Sequence, residues 1–288
     1  MVKRIGRQIF VITLTLCLAL PGVQAWTQQK PSGGQKPKPP ASPPGTQLNA
    51  ALIDAVRNKD PDRAADLLKR GADPNTTIEG VPLLMVATGT FQEDIVALLL
   101  AHKADPNAHT PDGLTPLANS ILSCSDSPLE MMMLGGVKMT MKTPLSLTLI
   151  AHGADLKAKL NDGTGLLTLA ASNGNVRAAR ILLDKGADIN EKSKEGLTPI
   201  LIASLNGEAP MVRFLLANGA SPNGVGKQGV TPLLAGVHSG NFVLVQSLLS
   251  KGADTSAHMN NGDTPLKLAQ KQKMTALVKL LTSAGAKE

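Results

Sequence analysis

In the second half of the chain the apolar residues come in doublets four residues apart. Ala178/Ala179 precede Leu182/Leu183, Val212 precedes Leu215/Leu216, and Leu244/Val245 precede Leu248/Leu249. Positions i, i+1, i+4 and i+5 share one face of a helix, so each stretch predicts an amphipathic helix with a single buried stripe. Gly186, Gly219 and Gly252 follow these stretches, and glycine readily takes the left-handed backbone that ends a helix. Ahead of the doublets lie shorter apolar runs, several opened by Thr-Pro: Thr198-Pro199-Ile200, Thr231-Pro232-Leu233 and Thr264-Pro265-Leu266. A Thr hydroxyl caps a helix N-terminus, and Pro is tolerated at the first helical position. Ala170-Ala171, Ala203-Ser204 and Ala269 keep the middle of these runs small, so neighbouring helices can approach closely. The turn residues Asn173-Gly174-Asn175, Asn206-Gly207 and Ser239-Gly240-Asn241 separate the two runs. The unit is helix, turn, helix, and a polar hairpin-like stretch such as Ile189 to Gly196 leads to the next unit.

The helix-ending phrase recurs along most of the chain. It reads Gly71-Ala72-Asp73, Lys103-Ala104-Asp105, Gly153-Ala154-Asp155, Gly186-Ala187-Asp188, Gly219-Ala220-Ser221, Gly252-Ala253-Asp254 and Gly285-Ala286. Its first residue recurs at intervals of 32, 50, 33, 33, 33 and 33. The long interval exceeds the common one by 17 residues, which places an insertion at about 125–141. The helix-opening phrase keeps register with the mark, its third residue lying 19 residues earlier, as in Ile200 before Gly219. Thr115-Pro116-Leu117 opens the repeat with the insertion, while Gly165-Leu166-Leu167 and Pro82-Leu83-Leu84 are weaker versions. Such locked phrases at a fixed period signal a repeat architecture.

These residues resemble the ankyrin repeat family, over about Leu48 to Glu288 and seven repeats, the fourth to seventh nearly in full pattern. The resemblance implies an all-α solenoid of helix–turn–helix units with projecting β-hairpin fingers, stacked into a curved array. Lys103 in place of Gly, Gly165-Leu166 in place of Thr-Pro, and a polar first repeat depart from the pattern. Arg57, Asn58, Lys59, Asp60, Asp62, Arg63 and Asp66 suit a terminal repeat that exposes one face to water, as do Lys267, Gln270, Lys271, Gln272 and Lys273 at the other end. The family generally binds other proteins through finger tips and first-helix ends on the concave side. By that resemblance the candidate partner-binding residues are Ile78, Glu79, His109, Asp112, Lys159, Asp162, Lys192, Lys194, Lys227, Gln228, His258 and Asn260 on fingers, with Asn173, Asn206 and His238 on first helices. They share no charge sign.

The insertion is rich in methionine: Met131, Met132, Met133, Met139 and Met141 lie within 11 residues. Met packs adaptably on binding surfaces, so Met131, Met132 and Met133 join the candidate contacts. Packing of this segment on the neighbouring repeat is the plainer reading, and a Cu(I) or oxidant-handling role is a third, since thioethers suit that ion.

Composition narrows the function classes. With four Phe, one Trp and no Tyr, the chain has few rings to fill a conventional enzyme core or to stack bases. The net charge is +7, but residues 1–25 and 26–45 contribute +3 each, leaving +1 from Thr46 onward. No nucleic-acid partner is expected. Residues 1–25 read as a secretory signal: Lys3, Arg4 and Arg7 precede an apolar run from Ile9 to Leu20, and Val23-Gln24-Ala25 predicts cleavage after Ala25. That run is too short to span a bilayer, so no membrane span is expected after cleavage, and the mature chain is expected in the periplasm or secreted. Cys17 raises a lipoprotein alternative, though Leu16 before it is larger than such sites usually carry. Residues 26–46, with Pro31, Pro37, Pro39, Pro40, Pro43 and Pro44, read as an extended linker before a repeat domain at 47–288.

Cys124 is then the single thiol of the mature chain, so an internal disulfide is not expected. His102 and His152 precede helix-ending marks at the same repeat position, where a cation favours the helix C-terminus. The sequence carries no zinc-binding His pair, phosphate loop or nucleophile elbow. A non-enzymatic, monomeric protein-binding scaffold without cofactor is therefore expected, with an inhibitor or immunity-type protein as the alternative.

Overall fold

The computed structural model describes residues 44–123 and 145–287. The expected signal, most of the expected linker, Cys124 and the expected insertion at 125–141, with Met131, Met132 and Met133, lie outside the described residues. No described helix is long and apolar enough to cross a membrane.

Fourteen α-helices form among the described residues. In chain order they are α1 (Pro44–Arg57), α2 (Pro61–Lys69), α3 (Leu83–Gly89), α4 (Glu93–Ala101), α5 (Pro116–Ser123), α6 (Leu145–Ala151) and α7 (Leu166–Ser172). There follow α8 (Val176–Asp184), α9 (Pro199–Asn206), α10 (Ala209–Ala217), α11 (Pro232–His238), α12 (Phe242–Leu249), α13 (Pro265–Lys271) and α14 (Thr275–Ser283). Each odd-numbered helix packs on the even-numbered one after it, and the odd-numbered helices pack side by side from α1 to α13. The even-numbered helices form a second row, in which α6 and α8 scarcely touch. Leu and Ala fill the space between rows: Leu99, Leu149, Leu167, Leu182, Ile200 and Leu215 are fully buried.

The helix boundaries have the local causes that the pattern predicts. Thr198 Oγ1 accepts from Leu201 N–H at 3.3 Å, Thr231 Oγ1 from Leu234 N–H at 3.3 Å, and Thr264 Oγ1 from Lys267 N–H at 3.2 Å. Asn175 and Asn241 cap α8 and α12 in the same way, at 2.9 and 3.1 Å. Gly186 and Gly219 end α8 and α10 at φ 86° and 90°. In the degenerate copy Lys103 is held in the same left-handed region, at φ 68°. The first repeat differs in length: α1 has 14 residues, against 7 or 8 in the later odd-numbered helices.

The fingers are less regular than the hairpins the resemblance implies. Only the first is a ladder, β1 (Thr77–Ile78) pairing antiparallel with β2 (Val81–Pro82). The others close on one cross-arm main-chain bond beside a turn bond, the former running from Ser193 N–H to Leu197 O at 3.0 Å and from Gly226 N–H to Val230 O at 2.9 Å. Their second arm meets Thr-Pro one residue later, and Pro has no N–H to continue a ladder. The one further bridge, Lys159 with Gly165, falls where Leu166 stands in place of that Pro.

Asparagines tie one unit to the next. Asn107 Nδ2 donates to Gly153 O at 3.0 Å, and its Oδ1 accepts from Asp155 N–H at 2.7 Å. Asn223 does the same to Gly252 O and Asp254 N–H, at 3.2 and 2.8 Å. Asn75 and Asn190 continue the series, and Lys157 holds the equivalent position between the α5–α6 and α7–α8 units.

A second amide series joins the turns. Asn241 Nδ2 donates back to Gly207 O at 3.2 Å. Glu208 occupies this position before α10, its carboxylate lying against Gly174, where a Cβ would sit 2.5 Å from Oε2. Burial pushes the Glu208 carboxyl above its ordinary value of 4.5. A raised native pKa stabilises the fold below the unfolded value, and that contribution is lost as pH rises through the native one. Glu208→Asn, which supplies the missing amide, is expected to stabilise the protein by about 1 kcal/mol at pH 7. The margin over wild type should narrow on going to pH 4, as read from urea midpoints. A constant margin across that range would refute the assignment of the pH-dependent part to Glu208.

Candidate protein-binding surface

Three of the five junctions between successive fingers are joined main chain to main chain. Asn161 N–H donates to Asp112 O at 3.2 Å, Lys194 N–H to Asp162 O at 3.0 Å, and Asn260 N–H to Gln228 O at 2.9 Å. The approach is close enough to dictate residue type. At Gly229, φ 77°, an added Cβ would lie 2.8 Å from His258 O on the next finger. Side-chain bonds reinforce the comb: Asn161 Nδ2 donates to Pro111 O at 2.8 Å, Lys194 Nζ to Asn161 O at 2.9 Å, and Lys227 pairs with Glu195.

Most candidate residues stand exposed on this comb. Glu79, His109, Asp112, Lys159, Asp162, Lys192, Lys194, Lys227, Gln228, His258 and Asn260 are exposed on fingers. Ile78 is half-buried and packs against the core, which makes it a support of the first finger. On the first helices His238 is exposed, with Nδ1 3.4 Å from Gln272 Nε2.

Asn173 and Asn206 have structural work that the sequence reading did not assign. Asn173 Nδ2 donates to Ile121 O and Leu122 O at 3.1 and 2.8 Å, and Asn206 Nδ2 to Ser172 O at 2.7 Å. These bonds satisfy the last carbonyls of α5 and α7, which have no partner within their own helices. His102 and His152 sit as expected at helix ends, each Nδ1 against the carbonyl four residues back, at 2.9 and 2.8 Å. Among the described residues no group of three or more His, Cys, Asp or Glu could hold a metal ion.

One important residue escaped the sequence reading. Glu191 Oε1 accepts from Thr168 N–H at 3.2 Å and from Thr168 Oγ1 at 3.1 Å, and so caps the N-terminus of α7. Its signal was present but indirect: α7 is the helix in which Gly165 stands where Thr caps α5, α9, α11 and α13.

The arrangement described so far, paired helices in two rows with linked fingers, matches known proteins. Residues 137–226 fit the family model for ankyrin repeats, with three copies. The chain carries ankyrin repeats. Over 70 residues it is 44% identical to human 2-5A-dependent ribonuclease and 44% identical to the regulatory protein NPR6 of Arabidopsis thaliana. Those matches cover 24% and 23% of this chain, and only 9% and 15% of the two relatives. Among solved structures, the human ASB11 ankyrin repeat domain aligns with TM-score 0.67 at 22% identity, over 81% of this chain and 96% of that one. The ankyrin repeat domain of Bcl-3, a member of the IkappaB family, aligns with TM-score 0.62 at 26% identity, over 81% and 97%. Ankyrin repeats generally mediate protein–protein binding, and proteins built from them are typically non-enzymatic scaffolds.

Proposed function

We propose that this ankyrin-repeat chain is an exported, non-enzymatic scaffold that binds a partner protein along its fingers and first-helix ends. The observation that carries the reading is the comb itself. Main-chain bonds at three of the five finger junctions, and an ion pair at a fourth, hold neighbouring fingers together, while the side chains at their tips stay exposed. A surface organised before binding loses little conformational freedom on association, so more of the contact energy appears as affinity. Export is supported by the basic start, the apolar run and the Val23-Gln24-Ala25 sequence before Trp26.

Two measurements test the two halves of this reading. Intact-mass analysis of the protein from the exported fraction of its native cells is expected to show Trp26 as the first residue; a chain still carrying Met1 removes the export claim. Full-length protein, immobilised, is expected to retain a partner that Gln228→Arg/Asn260→Arg protein loses at unchanged circular dichroism. A partner kept by that variant and lost instead by Arg213→Glu/Lys279→Glu, on the opposite row, would place recognition elsewhere.

A further inference from the structure

We propose that the fingers recognise an acidic, extended segment of the partner, gripped by Lys159 and Lys192 with Val225 beside them. The inference rests on the scaffold reading above and adds the chemistry of what is bound.

The residue six positions after each helix-ending mark begins the outward side of a finger. The series is Thr77, His109, Lys159, Lys192, Val225 and His258, and every member is exposed. It contains no carboxylate. Lys159 and Lys192 hold the same position on adjacent fingers, and neither ammonium has an ion-pair or hydrogen-bond partner among the described residues. Three further cations of the comb are tied down: Lys194 to Asn161 O, Lys227 to Glu195 and Lys271 to Asp263, while Lys157 beside Lys159 is exposed like it. The carboxylates nearest in sequence are also committed. Glu191 turns inward to Thr168, and Asp162 Oδ1 accepts from Thr164 N–H at 2.8 Å. Two exposed ammoniums therefore hold equivalent positions on adjacent fingers, and a ligand carrying two carboxylates at that spacing can neutralise both. On the next finger Val225 is 53% exposed, which offers an apolar contact at the third step.

The pitch of the comb selects the ligand's conformation. Packed helices stack at roughly 8–10 Å, which sets the finger spacing. A polyproline II strand has three residues per turn at about 3.1 Å each, so positions i, i+3 and i+6 lie on one side about 9 Å apart. A β-strand turns i+3 to its opposite face. The geometry points to Glu-x-x-Glu followed by an apolar residue three further on, in a Pro-rich frame. Nucleic acid is a poorer fit, since the chain from Thr46 onward carries a net charge of only +1.

The test titrates full-length protein into fluorescein-labelled Glu-Pro-Pro-Glu-Pro-Pro-Leu and its Gln-for-Glu counterpart, read by fluorescence anisotropy. The acidic peptide is expected to bind at least tenfold more tightly. Lys159→Glu/Lys192→Glu should weaken it at least tenfold and favour a peptide with Lys in place of Glu, whereas Lys69→Glu/Lys279→Glu should change neither. Equal binding of the acidic and neutral peptides, no binding of either, or indifference to the charge exchange overturns the proposal. So does an oligonucleotide that outcompetes the acidic peptide at the same lysines. If the peptides fail while Gln228→Arg/Asn260→Arg still abolishes partner capture, the scaffold reading stands and only this chemistry falls.

Discussion

Gly165→Thr, a change toward the pattern of the other repeats, is expected to destabilise the protein by about 2 kcal/mol. A Cβ on Gly165 would lie 2.1 Å from Glu191 Oε2 and 2.4 Å from Oε1. The threonine must therefore expel the carboxylate that caps α7. Glu191→Ala alone removes the cap and its favourable charge at a helix N-terminus, costing about 1 kcal/mol. The double variant is expected to return to within about 0.5 kcal/mol of wild type, a coupling of about 3 kcal/mol. In it the introduced hydroxyl can cap α7, and alanine faces it as Ala158 follows the repeat capped by Thr115 and Ala257 that capped by Thr231. At the same position Gly224 lies against Thr198, where a Cβ would meet Oγ1 at 3.1 Å. Equilibrium urea unfolding of the four proteins decides the matter. Costs that simply add would mean that Gly165 and Glu191 are not alternatives to a threonine cap.

This exchange marks how far the sequence could be read. Features that depend on neighbours within one repeat were legible. The Thr caps, the left-handed glycines and the apolar doublets each act over four or five residues, so their physics is written in local order. The fingers carry little strand for an equally local reason, the Pro that follows the second arm in the four Thr-Pro repeats. What stayed hidden depends on contacts 23 to 52 residues apart: Glu191 on Thr168, Asn206 on Ser172, and Asn173 on Ile121. The carbonyl bonds of Asn173 and Asn206 were not legible because a polar side chain at a turn has the same local signature whether or not it reaches a neighbouring carbonyl. The finger charges raise the converse problem. Their side-by-side register follows from the repeat period, but that Lys194 and Lys227 are engaged while Lys159 and Lys192 are not emerges only from the packed comb.

Uneven coupling along that comb leads to the second large effect. Leu149→Ala is expected to cost about 3 kcal/mol, since Leu149 is fully buried in α6 and the short helix has few other anchors. More telling is the shape of the transition. In a repeat array, stability is the sum of unit terms and nearest-neighbour interfaces, so a weakened unit splits the array at its weaker interface. The α5–α6 unit is joined to α3–α4 by both bonds of Asn107. Toward α7–α8 it keeps the α5–α7 contact and the Asn173 bonds, but Lys157 interrupts the asparagine series and α6 scarcely meets α8. Urea unfolding of Leu149→Ala should therefore separate into two steps, α1–α6 melting before α7–α14. Leu215→Ala, of similar cost in α10, sits between the Asn190 and Asn223 links and should keep one transition at lower urea. Adding Lys157→Asn to Leu149→Ala should draw the two steps back together. If Leu215→Ala splits the transition equally, the loose junction beside α6 is not the place where cooperativity fails.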